Sequence, residues 1–275
     1  MLLRSSLTCC FAACLIAQPP QGRGRGTPNP AVQLDLEGRG AEARALFQKA
    51  IDEAATPQAQ ANAYRNMAMS WAFEGNSQFA GGSEQLVIDY WVTREADDPG
   101  NAFYQEGEMA DEAGRVCIDA GDLEHAAVWY RKGHDLGLKE PNISADRAAL
   151  WEYRWQHAEA RIAAPRGNRA DAQKYIAEAR ASLDKMTALK AQQESFYPYL
   201  TGYVAFYVGD YKTAQADFEK AQQNDPFIQV MLAQTYEKLG EKDKAMELYK
   251  KAAGARAHNP PAAYAVPFAR KKLAS

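Results

Sequence analysis

Five times along this chain a glycine turn is followed by one packing signature: a small residue, a large one four positions on, and another small one three further. The occurrences are Ala43, Phe47, Ala50; Ala126, Tyr130, Gly133; Ala172, Ile176, Ala179; Ala214, Phe218, Ala221; and Ala245, Tyr249, Ala252. The spacing puts all three residues on one face of a helix. The small side chains let a second helix approach closely while the large one fills the groove between neighbours. The turns themselves, Glu37-Gly38-Arg39-Gly40, Ala120-Gly121-Asp122, Arg166-Gly167-Asn168, Val208-Gly209-Asp210 and Leu239-Gly240-Glu241, break one helix just before the next begins. Helix, short turn and helix is an αα-hairpin, and a repeated hairpin cannot bury its apolar face alone, so such units stack.

From Ala31 onward, apolar residues recur at three- and four-residue spacing in a background of Ala, Glu, Lys and Gln, which predicts an all-α chain. The stretch from Gly202 to Pro226, with Gly209, Tyr211, Ala214, Phe218 and Ala221, resembles the tetratricopeptide repeat, and Ala233, Tyr236, Gly240, Ala245, Tyr249 and Ala252 repeat most of that pattern. The resemblance is close over about residues 196–256 and looser over 31–190. Ala214 and Ala245 are 31 residues apart, but Ala172 to Ala214 is 42 and Ala126 to Ala172 is 46, against a family period of about 34. HEAT or armadillo solenoids, at roughly 40–47 residues, suit the longer steps, whereas the glycine turns and anchor residues favour tetratricopeptide-like hairpins. The expectation is an α-solenoid of about six antiparallel hairpins over 31–256, the first helix truncated. In the second hairpin, Tyr64, Ala68 and Trp71 mark the first helix. Asn76 to Gly82 reads as an inserted connection, and the second helix starts near Glu84 with Trp91 as filler and Pro99 beyond its end.

Residues 1–17, MLLRSSLTCCFAACLIA, carry one charge at Arg4 ahead of an apolar run, the layout of a secretory signal peptide. Cleavage fits after Ala17, or before Cys14, where Phe11-Ala12-Ala13-Cys14 resembles a bacterial lipobox with Phe in place of Leu. The second alternative would leave a lipid on Cys14 as a membrane tether. Either removes Cys9 and Cys10, so no disulfide framework is left. The expected location is therefore outside the cytoplasm, in a bacterial periplasm or on a membrane as a lipoprotein. Residues 18–30 are rich in Pro and Gly and read as a flexible linker. Residues 257–275 read as a C-terminal cap, stopped from continuing the last repeat by Asn259-Pro260-Pro261, with Phe268 to Leu273 as a short amphipathic helix.

Little in the chain points to catalysis. His125, His134, His157 and His258 fall in different units and read as surface or helix-end residues, with no HExxH pair for a metal. Glu106, Glu108, Asp111 and Glu112 share one predicted helix and read as a solvated face. Gly81-Gly82-Ser83 lacks the Lys of a phosphate loop, leaving Ser83 as a helix N-cap. Cys117 reads as packing, and neither a GxSxG elbow nor a dinucleotide fingerprint occurs. No cofactor is expected. The net charge of −3 and the lack of a basic stripe argue against nucleic acid.

The sharpest candidate for binding is aromatic. Between Phe196 and Val208, Tyr199, Tyr203 and Phe206 or Tyr207 lie one and two turns apart on one helical face. Resemblance to tetratricopeptide proteins implies that the first helix of each hairpin lines a concave groove, where this stripe would meet a ligand. Arg65 and Arg115 occupy corresponding positions in the second and third hairpins. Leu200, Val204 and Val208 make the same helix apolar nearly all round, so a helix buried between neighbours is the competing reading. Acidic Glu108 and Glu112 stand where the family's clamp for chaperone tails would need basic residues. The reading is of an exported scaffold for a protein or extended peptide, in a role such as envelope assembly. The alternative is a small-ligand or glycan binder using the same aromatics with Trp151 and Trp155.

Overall fold

The computed structural model describes residues 29–275, so the expected signal segment, Cys14 and nearly all of the linker lie outside the described residues. The described residues form helices and connections only, arranged as six antiparallel pairs. These are α1 (Pro30–Glu37) with α2 (Gly40–Asp52), α3 (Pro57–Phe73) with α4 (Ser77–Val92), and α5 (Pro99–Ala120) with α6 (Leu123–Gly137). They continue with α7 (Ala145–Ala163) and α8 (Arg169–Lys185), α10 (Tyr197–Tyr207) and α11 (Tyr211–Phe218), and α12 (Pro226–Leu239) and α13 (Lys242–Ala253). The short α9 (Lys190–Glu194) is inserted ahead of the fifth pair, and α14 (Pro260–Ala274) closes the chain. The long upstream periods have plain causes: α7 spans 19 residues and follows a long connection between Gly137 and Ala145, and α9 lengthens the step into the fifth hairpin.

The turns work as a two-residue switch. Gly121, Gly167 and Gly209 take a positive φ that ends one helix. The Asp or Asn that follows each of them starts the next by accepting a backbone N–H three residues on: His125 to Asp122, Asp171 to Asn168 and Thr213 to Asp210. Gly75 (φ 70°) and Asn76 form a fourth switch of this kind, the Phe79 N–H donating to Asn76. This corrects the expected insertion at 76–82: α4 starts at Ser77, and Ser83, expected as an N-cap, lies within the helix with its hydroxyl donating to the Phe79 carbonyl. Gly81 belongs to the helix because a Cβ there would lie 3.1 Å from Nε1 of Trp129 on α6. The expected linker gives way at Pro30, the first residue of α1, capped by Asn29.

The repeated anchors are buried at every position except Ala50, which is exposed, and Ile176, which is half-buried. Trp151 is fully enclosed between α5 and α6, where a Cβ on Gly137 would stand 2.1 Å from its ring. That enclosure removes Trp151 as a sugar-stacking surface. First helices touch first helices (α1 on α3, α5 on α7, α7 on α10, α10 on α12), and each of α4, α6 and α11 bridges to the following hairpin. The first helices thus make one continuous layer.

Candidate functional site

That layer carries a run of charge. On α5, Glu108, Asp111, Glu112, Arg115 and Asp119 recur at helical spacing along one face. Glu112 pairs with Arg65 of α3 at 2.5 Å, Glu108 with Arg154 of α7 at 2.5 Å, and Arg115 with Asp119 at 2.9 Å. The acidic residues are therefore not a solvated face but the partners of arginines on neighbouring first helices. Burial pushes the Asp111 carboxyl up to about 8 against the pull of Arg154. Glu106, on a different side of α5, is fully buried with no hydrogen-bond partner on either oxygen.

Arg161 of α7 is the odd member. It is 3% exposed, and no carboxylate lies within ion-pair distance of it among the described residues. Its guanidinium donates instead to the hydroxyls of Tyr199 (2.7 Å) and Tyr130 (2.6 Å). Burial, with Arg161 and Arg115 nearby, holds His157 well below the usual imidazole range, so it is neutral. The expected surface placement of the histidines holds for His125 alone: His157 is buried, His134 lies against Trp155, and His258 is enclosed as described below.

The aromatic stripe divides. Tyr199 and Tyr203 are 5% and 2% exposed, packed edge to face with one another and against Phe227 of α12. Arg115 joins them, its guanidinium 4.3 Å from the Phe227 ring centroid. Tyr207 is 44% exposed, and Phe206 and Phe196 are half-buried. Arg65 stands apart from this group, on α3. Free access therefore remains at Tyr207 and at the edges of Phe206, Phe196 and Arg65, while Tyr199 and Tyr203 are core, the reading that the apolar surround of their helix also allowed.

The burial comes from the neighbouring first helices, from His157 and Arg161 of α7 and Phe227 of α12. Beside them lies α14, a feature that reading residues 257–275 as a simple cap missed. This helix packs on α13 and α12 and also on α3 and α5, across the layer of first helices. Ala262, Ala263 and Val266 are buried there among Ala68, Met69, Ala72, Phe73 and Val116, and Ala265 and Ala269 in the cluster that holds Phe227, Tyr236 and Tyr249. Tyr264 stacks near Phe227 (5.1 Å between centroids), and Lys272 pairs with Glu237 at 2.7 Å. At about 0.8 kcal/mol per buried CH₂-sized group, four alanine methyls and one valine contribute roughly 5 kcal/mol to seating α14, and the partly buried Tyr264, Phe268 and Leu273 add to it. The approach to α14 is pinned by His258. Its Nε2 lies 2.9 Å from Oδ2 of the buried Asp35 on α1, and its ring sits 5.5 Å from both Phe47 and Phe73. The Ser70 hydroxyl donates to the other Asp35 oxygen at 2.7 Å. A cleft of about 450 Å³ runs beside α14, lined by Phe73, Val116, Asp119, Tyr264 and Phe268. The sequence signal for the docking was present in the alanine run AAYAVPFA, small at successive turns.

On the second helices, Phe79 of α4 is 55% exposed and Val128 of α6 is 65% exposed, and a second cleft of about 650 Å³, lined by Gly82, Asp122 and Trp129, meets the first at Glu74 and Gly75. Cys117 is buried in the core, and desolvation pushes its thiol up to about 12, which leaves it a packing residue. No group of metal-ligating side chains occurs among the described residues.

Residues 228–259, the sixth hairpin and the chain leading to α14, match the family model of the tetratricopeptide repeat. The sixth hairpin is therefore a tetratricopeptide repeat. No curated protein matches the chain. Among solved structures, a tetratricopeptide repeat protein from Parabacteroides merdae ATCC 43184 is similar at 14% identity and a TM-score of 0.37, over 86% of this chain and 96% of that one. Yeast Tom70 is similar at 13% identity and a TM-score of 0.40, over 90% of this chain and 65% of that one.

Proposed function

We propose that this chain is an exported, non-catalytic tetratricopeptide-repeat scaffold that holds a protein partner by one segment laid along the layer of first helices. The observation that supports the reading is that this layer already accepts a helix: α14 lies across α3, α5 and α12. A face that takes one segment of secondary structure lengthwise is the form in which helical arrays receive peptides. The signal-like residues 1–17 support export, with Cys14 as the tether if cleavage falls before it, and envelope assembly is the setting such a scaffold fits.

The test is affinity capture from a bacterial envelope extract, comparing wild type with a double variant, Arg65→Ala and Tyr207→Ala. Tyr207 is exposed, and Arg65 is half-buried in its pair with Glu112, so circular dichroism on the variant establishes that it is folded before capture. Loss of specific partners in the variant is the expected result. Equal recovery by both proteins overturns binding through this layer. The expected glycan alternative loses Trp151, which is enclosed, and no other observation favours it.

A further inference from the structure

Resting on the reading above, we propose that α14 is a built-in occupant of the partner's seat. The partner segment is then a helix of α14's own kind, faced with alanine-sized residues and carrying aromatics beside that face, and it enters when α14 leaves.

Three observations carry this. First, α14 does more than cover the last hairpin. A cap needs only α12 and α13, yet α14 also fills the space between α3 and α5 at the far end of the array. Second, the seat is shaped for small side chains. Ala262, Ala263, Ala265 and Ala269 are buried against α3, α5, α12 and α13, which means that the backbone of α14 approaches theirs closely. A helix lined with Leu or Phe would clash at this separation, so the seat selects for small residues at successive turns. Tyr264 and Phe268 add the second element of recognition, stacked on one another beside Phe227 and Tyr249. Third, α14 is built to detach. Pro267 sits inside it and removes the hydrogen bond that the Ala263 carbonyl would otherwise receive. The segment 254–259 joins it to α13 without helical structure, and one side chain in that segment, His258, ties it to the first hairpin. The cleft beside Tyr264 and Phe268 exposes the edge at which an incoming helix first makes contact.

The whole chain can be tested without knowing the partner. Hydrogen exchange by mass spectrometry on the wild type should show the amides of residues 260–274 exchanging at least tenfold faster than those of α12, through an opening short of global unfolding. Equal protection of α14 and α12 overturns the proposal. In parallel, a fluorescent peptide of residues 259–275 is titrated against wild type and His258→Ala. The variant should bind at least tenfold more tightly, because its own α14 competes less well. A peptide bearing Ala262→Asp and Ala269→Asp should not bind either protein. Should His258→Ala fail to fold, Lys272→Ala, which loosens the accessible end of α14 by removing its pair with Glu237, serves in its place. Failure of the unmodified peptide to bind the variant, or equal binding of the aspartate peptide, overturns the proposal. Opening of α14 with peptide binding, but no difference in envelope capture, would retire the proposed function and leave this inference standing.

Discussion

Replacing Glu106 by Gln should make the protein more stable at pH 8 and not at pH 5. The Glu106 carboxyl is fully buried in α5, and neither oxygen has a hydrogen-bond partner. Desolvation, reinforced by the negative charge of Glu95 and only partly offset by Lys139 and Lys132, pushes it from 4.5 up to about 7. In the unfolded chain the group loses its proton near 4.5; in the folded chain it keeps it to about 7. Between those values the folded state binds the extra proton, so stability falls as pH rises through the window and levels off above it. Two and a half decades of proton affinity correspond to about 3 kcal/mol. A glutamine has the same shape and no charge to desolvate, but buries an amide whose unmet hydrogen bonds cost about 1–2 kcal/mol. The net gain at pH 8 is then about 1–2 kcal/mol, or roughly 3–6 °C in Tm for a domain of this size. Below pH 5 the gain vanishes and the amide cost leaves the variant slightly the weaker. Thermal unfolding followed by circular dichroism at pH 5, 6, 7 and 8 measures this directly. A difference in Tm that stays constant across those four values would show that Glu106 does not titrate in the window and refute the reasoning.

Other substitutions separate packing from propensity. Gly137→Ala would place a Cβ 2.1 Å from the enclosed Trp151 ring and should cost about 2 kcal/mol or more in urea denaturation. Gly82→Ala, with nothing within 4 Å of its Cβ, should gain about 0.5–1 kcal/mol from helix propensity by the same measurement. Phe218→Ala removes a fully buried ring beside Gly202 and should cost about 3–5 kcal/mol. Asp35→Ala, His258→Ala and the double variant should show a coupling of about 1–3 kcal/mol in a denaturation cycle, and simple additivity would mean that the pair is idle. Cys117 should resist a thiol reagent at pH 8 until the chain is unfolded, as both its burial and its raised pKa require.

What the sequence made legible was local. Gly121 with Asp122 and Gly209 with Asp210 encode a helix stop and a helix start within two residues, and Ala214 with Phe218 encodes the contact between helices four positions apart. Neither needs knowledge of the distant chain. The same rule applied to Gly75 and Asn76 would have found the true start of α4, but Gly81-Gly82-Ser83 has the composition of a loop. Gly81 lies inside the helix as a glycine because Trp129, 48 residues on, fills the space a Cβ would need, whereas Gly82 meets nothing. The acidic run of α5 was misplaced for a related reason. Helical periodicity puts Glu108, Asp111 and Glu112 on one face but does not say whether that face meets water or the arginines of α3 and α7. The fate of Tyr199 and Tyr203 depended on α7 and α12, whose approach to α10 is a property of the array's path through space and not of any one repeat.

The pairing of His258 with Asp35 joins residues 223 positions apart. A linear array of hairpins can begin folding at any unit and fray from either end, since each unit answers only to its neighbours. While α14 is seated the end units are stitched together, so in that closed state the ends should not fray independently, and once α14 is out unfolding should proceed more hairpin by hairpin. The same stitch slows the last step of folding, because its loop is nearly the whole chain and must be closed against the full entropy of that length. During synthesis, Asp35 is made more than two hundred residues before its partner exists. The first hairpins must then wait with an unfinished edge until the final helix leaves the ribosome, the interval in which this protein is most exposed to mispairing with other chains.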